Sequence, residues 1–271
     1  MATEHPAIRL LLPFSERKPM KTVCIPIALL ACLIGTRAVC AHNPVKYLEV
    51  MTGTASVAVE HSVDLQTELD AEKASTLLSG PKFFSIAVGC SDSRLSENAA
   101  PGNGVPENRA CLQWYEIVKP TTKETRKVSV LDPLRGGNDT DLRIGAAEFL
   151  LTPAQLLGTG NPLPVPEGLD VYKAYQILDA NSLERTVAIA GSAANTTRKV
   201  GKPVFLCIPS KEWHHDEFIE ASHPTACFVV YELDPQDCTQ KVSTLDQFGL
   251  NQIEVTSSRW LCVHAALLRN R

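Results

Sequence analysis

CLQWYEIVKP at residues 111–120 and CFVVYELDPQ at residues 227–236 are two versions of one phrase, and they decide how the chain folds. Each is followed by a second shared stretch, KVSVLDPL (127–134) and KVSTLDQF (241–248). A third match comes after that: Ile144 precedes Phe149 by five residues, as Val255 precedes Trp260. The same order recurs at lower fidelity from Val171 (VYKAYQI, then Val200 and Phe205) and from Val45 (VKYLEV, then Leu78 and Phe83). Four of the five tyrosines, Tyr47, Tyr115, Tyr175 and Tyr231, then fall in one column. Four copies of a unit too small to bury its own apolar face must pack on one another.

Within a copy the apolar period is two. Leu112, Trp114 and Ile117 nearly alternate, as do Phe228, Val230 and Leu233, while Val128 and Val130 match Val242 and Thr244. That spacing, with β-branched and aromatic side chains, fits a pleated strand. Gly136-Gly137-Asn138-Asp139, Asp234-Pro235 and Phe248-Gly249 supply turns between strands. LQTELDAEKASTLL (65–78) has a helical period and predicts a short helix in the first copy. The expected fold is all-β: two tandem β-sandwich or barrel-like domains, each an internal duplication, over 42–157 and 171–268. The Pro- and Gly-rich stretch 158–170 is the expected linker.

Before the repeats, MKTVCIPIALLACLIGTRAVCAHN (20–43) has a lysine, then about a dozen apolar residues, then small residues at Val39-Cys40-Ala41. This predicts a signal peptide over 1–41; Arg37 ends the run short of the ~20 residues a membrane span needs. The chain is therefore expected to be exported, whether periplasmic, cell-surface or secreted, with no transmembrane span in its mature part. Leu29-Leu30-Ala31-Cys32 offers the alternative of a lipid anchor at Cys32. Loss of residues 1–41 leaves 21 basic and 28 acidic side chains, a net charge of −7 against −4 for the whole chain. A mildly acidic surface does not suit a nucleic-acid binder, which works through a basic excess. Six cysteines remain, Cys90, Cys111, Cys207, Cys227, Cys238 and Cys262, and an even number in an exported chain predicts disulfides.

The second half resembles a domain of unknown function from exported bacterial proteins, often found in tandem, that reads HFxCYxV, DQFG and LCxP in succession. Val171-Tyr172-Lys173-Ala174-Tyr175-Gln176-Ile177 is similar to the opening, and Phe205-Leu206-Cys207-Ile208-Pro209 to the LCxP element. Asp246-Gln247-Phe248-Gly249 and Leu261-Cys262-Val263 follow the rest. The resemblance is clear over 171–265 and reaches 45–157 only through the internal repeat. It brings no catalytic residues. Two family cysteines are replaced together, by Ala174 and Val230. Cys207 and Cys262 are present together, whereas Ser85 and Leu151 stand at their first-half positions. The resemblance thus implies a Cys207–Cys262 bridge, with Cys90–Cys111 and Cys227–Cys238 as the remaining pairs. The rival scheme joins Cys207 to Cys227 and Cys238 to Cys262. Each such bridge would be worth roughly 3–4 kcal/mol by loop-closure entropy.

Two motifs bear on chemistry. Cys90-Ser91-Asp92-Ser93-Arg94 resembles the CxDSR element of β-class carbonic anhydrases, in which the cysteine ligates zinc and the Asp–Arg pair governs the fourth position. That chemistry needs a His-x-x-Cys downstream, and His223 and Cys227 are one residue too far apart. Trp213-His214-His215-Asp216-Glu217, with His223, is the densest group of metal-type ligands; on a loop, His214, His215, Glu217 and His223 could meet one ion. Read as strand, the two adjacent histidines face opposite sides. Gly136–Asp141 faintly resembles a calcium loop and reads better as a longer hairpin turn. The sequence therefore predicts an exported, disulfide-held structural or interaction module without a catalytic site or cofactor. Its partner would be a protein or a cell-envelope component. The alternative function is a zinc-dependent lyase using Cys90 and Asp92.

Overall fold

The computed structural model describes residues 46–55, 59–92, 110–118, 125–158, 164–166, 168–190 and 195–268. The expected signal peptide, Cys32, and Ser93 and Arg94 of the CxDSR stretch lie outside these residues. Thirteen strands form one sheet: β1 (Tyr47–Ala55), β2 (His61–Thr67), β3 (Ala74–Ala87), β4 (Gly89–Asp92), β5 (Cys111–Ile117), β6 (Arg126–Asp132), β7 (Asn138–Leu157), β8 (Val171–Asp179), β9 (Arg185–Ala190), β10 (Asn195–His214), β11 (Glu217–Ile219), β12 (Ala226–Asp246) and β13 (Gly249–Leu268). Among the described residues, no helix is long and apolar enough to cross a membrane.

Eight of these strands close a ring. β1 pairs with β3, β3 with β5, β5 with β7, β7 with β8, β8 with β10, β10 with β12, β12 with β13, and β13 returns to β1, every pair antiparallel. Each copy contributes a short stave (β1, β5, β8 or the first part of β12) and the inner part of a long strand (β3, β7, β10 or β13). Closure removes the edges that an open sheet would leave unpaired.

The barrel interior is filled in layers of four, each layer drawn from alternate strands, as small barrels require. Leu48, Leu112, Tyr172 and Phe228 form one layer, opposite Cys262, Ser85, Leu151 and Cys207 respectively. Val50, Trp114, Ala174 and Val230 follow, opposite Trp260, Phe83, Phe149 and Phe205. Those last four aromatics touch in a closed circle at 4.6–5.5 Å between ring centroids. Trp114, fully buried, packs against all four and donates its indole N–H to Ser85 Oγ at 3.1 Å. The aromatic pairs sit edge-on or tilted, the arrangement their quadrupoles favour.

Beyond the aromatic circle all four long strands carry register shifts: at Leu78–Phe83, Ile144–Phe149, Val200–Phe205 and opposite Val50–Gly53. A bulge bends a strand, and here the bends turn each long strand into a hairpin arm: β2–β3, β6–β7, β9–β10 and the β12–β13 tip. Each arm then pairs with the far end of the long strand two copies along. β2 joins β10, β6 joins β13, β9 joins β4 (which continues β3), and the β12 tip joins β7. The arms cover the outer barrel wall. Val128, Val130, Val187, Val242 and Ile253 of the arms share a core with Phe84, Leu206, Val229 and Leu261 of the wall. Stave residues are buried on both faces for this reason, so CFVVY (227–231) is fully buried.

Four sequence expectations are corrected. The described strands before and after 158–170 do not form two separate β-sandwiches or barrels: all thirteen belong to one sheet, and one barrel runs through both halves. Asp170 fixes that connection by accepting from the N–H groups of Ser222 (2.7 Å) and His223 (2.9 Å). Residues 65–78 are not helical; β2, a turn and β3 occupy them, because Leu65 and Leu78 face the same core across the hairpin. The tyrosine column is Tyr115, Tyr175 and Tyr231 with Met51, not Tyr47, in the first copy.

The fourth correction concerns cysteines. Cys111, Cys207, Cys227, Cys238 and Cys262 carry free thiols. Cys207 and Cys262 lie in one interior layer, but β12 runs between their strands. Two strand spacings are about 9–10 Å, beyond the 4.4–6.8 Å between Cα atoms that a disulfide spans. Cys227 is adjacent to Phe228, whose side chain faces Cys207, and so points to the opposite face of the wall. Cys111 donates its thiol to the Ala154 carbonyl at 2.7 Å and does not bond Cys90, which lies on β4 opposite Ile189. Cys238 belongs to the arm half of β12.

Candidate functional site

The column tyrosines each reach an arm from the copy two along. Tyr115 donates to Asp246 Oδ2 at 2.7 Å, Tyr231 donates to Asp132 Oδ2, and the Tyr175 hydroxyl lies 3.0 Å from Thr67 Oγ1 beside Asp70. Each contact holds the tip of a hairpin against the barrel wall. Met51 has no hydroxyl, and Gln240 Nε2 contacts its sulfur instead at 3.7 Å. Burial raises the Asp132 and Asp246 carboxyls, only partly offset by these hydrogen bonds. Burial would also raise Asp70, but the Lys173 ammonium at 2.8 Å and the hydrogen bonds from Lys173 and Thr67 outweigh it and hold that carboxyl low.

Around Asp246 the latch widens into the richest group of buried titratable side chains in the described structure. Asp246 also accepts from Thr152 Oγ1 (3.0 Å) and the Phe248 N–H (2.9 Å). The next residue, Gln247, donates to Oε1 of Glu212 on β10. Glu212 is fully buried, and its Oε2 has no hydrogen-bond partner. Burial, with the charge of Asp246, pushes its carboxyl up to about 7 despite the bond from Gln247. Phe248 stacks on His61 of β2 at 4.6 Å and meets His214 edge-on at 5.1 Å. Burial lowers both histidines. Asn251 Nδ2 donates to the Tyr115 hydroxyl at 2.9 Å and closes the network on the β13 side. Four elements, β2, β5, β10 and the β12–β13 turn, thus meet at Glu212 and Asp246.

The residues singled out from sequence are brought together only in part. His214 and His215 have rings 4.1 Å apart at the end of β10, where His215 takes a left-handed backbone (φ 54°), and Glu217 sits opposite His214 on β11. His223 is elsewhere, 3.9 Å from Asp170 and close over Gly168. Among the described residues, no group of three or more His, Cys, Asp or Glu is placed to hold a metal ion. His214 belongs instead to the His61–Phe248 aromatic cluster. Cys90 of the CxDSR stretch lies on β4, paired with β9 opposite Ile189. The Gly136–Asp141 stretch is a hairpin turn: a 3₁₀ turn at Pro133–Arg135 with left-handed Gly136 and Gly137, and Asp132 opposite Asn138.

Glu212 and His61 were missed by sequence reasoning. Asp132 and Asp246 were already aligned in KVSVLDPL and KVSTLDQF, and the tyrosines already formed a column. What had no sequence signal was that the two columns bond to each other between wall and arm, from copies two apart. Glu212 did carry a weak one, as the single acid in a strand run leading from Leu206 to Trp213.

The molecule is thus an all-β repeat protein, four copies closed into one armed barrel. It belongs to the family described as a repeat of unknown function (DUF7450), which matches residues 111–264, from the start of β5 into β13. No curated protein and no solved structure matches the chain.

Proposed function

We propose that the chain is an exported, non-catalytic structural or interaction module that presents loops from a rigid armed barrel. The observation that supports this most is the use made of the polar groups that chemistry would need. Asp70, Asp132 and Asp246 are held in hydrogen bonds that fasten arms to the wall. Packed aromatics fill the barrel interior where a ligand would sit. A closed ring has no wall edge to offer a partner strand, so partners meet loops and arm tips such as Leu245, Leu250 and Phe218, which are exposed. Export rests on the apolar segment before Ala41, not on the cysteines, since four of the free thiols fill core positions as small apolar side chains do. Fractionation of native cells with N-terminal mass mapping tests this reading. A chain beginning near His42 outside the cytoplasm is expected, and a cytoplasmic chain retaining residues 1–41 would overturn it.

A further inference from the structure

An ionised carboxylate is costly to bury unless it is paired and fully hydrogen-bonded. Among the described residues, Glu212 has one donor, Gln247, and one bare oxygen, and no cation bonds it. The charge that acts on it is another carboxylate, Asp246, whose own hydrogen-bond donors Tyr115, Thr152 and the Phe248 N–H are all neutral. The other titratable groups packed here come from every neighbouring element. They are His61 and Asp64 of β2, Lys73 ahead of β3 (ion-paired to Asp64 at 3.1 Å), Tyr115 of β5, and Lys211 and His214 of β10. Lys211 is engaged with Glu220 at 2.8 Å, so neither lysine compensates Glu212. The turn that Glu212 holds, residues 246–249, is the tip of the β12–β13 arm, and its flanking Leu245 and Leu250 pair directly and are already exposed.

We propose that Glu212 is the protonation switch of a latch that holds the tip of the β12–β13 arm against β10 and β2. With its proton in place the side chain lies buried against Gln247. When the proton leaves to solvent, the carboxylate must hydrate, the Gln247 contact opens, and the tip swings away with Leu245, Phe248 and Leu250. A carboxyl raised in the closed state stabilises that state fully below its ordinary value of 4.5 and loses the contribution as pH rises through about 7. The latch is therefore closed in mild acid and loosened in mild alkali. This holds wherever the chain resides and does not depend on its being exported.

Hydrogen exchange of the full chain, corrected for the intrinsic pH dependence of exchange, tests the latch between pH 5.5 and 8.5. Protection of residues 243–251 is expected to fall roughly thirtyfold across that range, since the loss accrues tenfold per pH unit only up to about 7, while the β9–β10 arm stays protected. In Glu212→Gln, an uncharged side chain of the same shape, the fall is expected to vanish. An unchanged fall in that variant, a flat wild-type profile, or a loss spread evenly over the chain would each overturn the proposal. Should the variant not fold, carboxyl-carbon titration of Glu212 in the wild type decides: a midpoint near 7 supports the switch, and one near 4.5 removes it.

Discussion

Tyr115, Tyr175 and Tyr231 each do two things: the ring fills the space between wall and arm, and the hydroxyl anchors an arm tip. Removing the oxygen alone separates these roles. Tyr231→Phe keeps the ring but takes the phenol donor from Oδ2 of Asp132, which is 1% exposed and keeps the Leu134 N–H on Oδ1, in a site that already raises its carboxyl. A buried acceptor left unpaired costs about 1–3 kcal/mol, so the urea midpoint should drop by a corresponding amount. An unchanged midpoint would show that the phenol contributes only packing. Asp70 works in the opposite sense to Glu212. Its carboxyl is held low in the fold, so its contribution is present above the ordinary value of 3.8 and is lost as pH falls below it.

At the scale of elements, the bulges decide the shape. Without the register shifts beyond the aromatic circle, a long strand such as β10 would run straight and no arm could lie over the wall. The β1–β13 seam carries two such shifts, and there Gly53 lets the backbones approach. A Cβ at that position would lie 2.3 Å from Cγ2 of the buried Ile253 and 3.1 Å from the Glu254 carbonyl oxygen. Gly53→Ala is therefore expected to destabilise by about 1–3 kcal/mol through overpacking. Exchange should open first along β1 and β13, and an effect spread away from that seam would contradict this placement. A Cβ at Gly201 would meet a milder constraint, Glu232 Cβ at 3.2 Å.

At the scale of the molecule, the first described strand pairs with the last, Tyr47 with Val263, so the ring closes only when all four copies are present. Contacts this distant in sequence slow folding. Both halves share every layer of the interior, and the arms cross between halves at β2–β10, β6–β13, β9–β4 and β12–β7. A protease site introduced at 159–163 and cut in the folded protein should therefore leave the two pieces associated and unfolding in a single thermal transition. Two separate transitions, or separation of the pieces on a sizing column, would show that the halves stand alone.

The sequence by itself determined the repeat. The period of two, the five-residue spacing before Phe83, Phe149, Phe205 and Trp260, and the alignment of Ser85 and Leu151 with Cys207 and Cys262 all hold in the structure, because each is a local consequence of strand geometry. Tyr47 falls outside the column because Met51 occupies that position in the first copy, and the nearest tyrosine mimics it. Residues 65–78 mimicked a helix because a hairpin turn happened to space its leucines by helical intervals. Only the tertiary structure decided that four copies close one ring and not two pairs, that the cysteines stay apart, and that Glu212 is buried beside Asp246. Those outcomes depend on which strand lies beside which. Neighbours two copies apart in the chain leave no trace in the period or spacing of either strand.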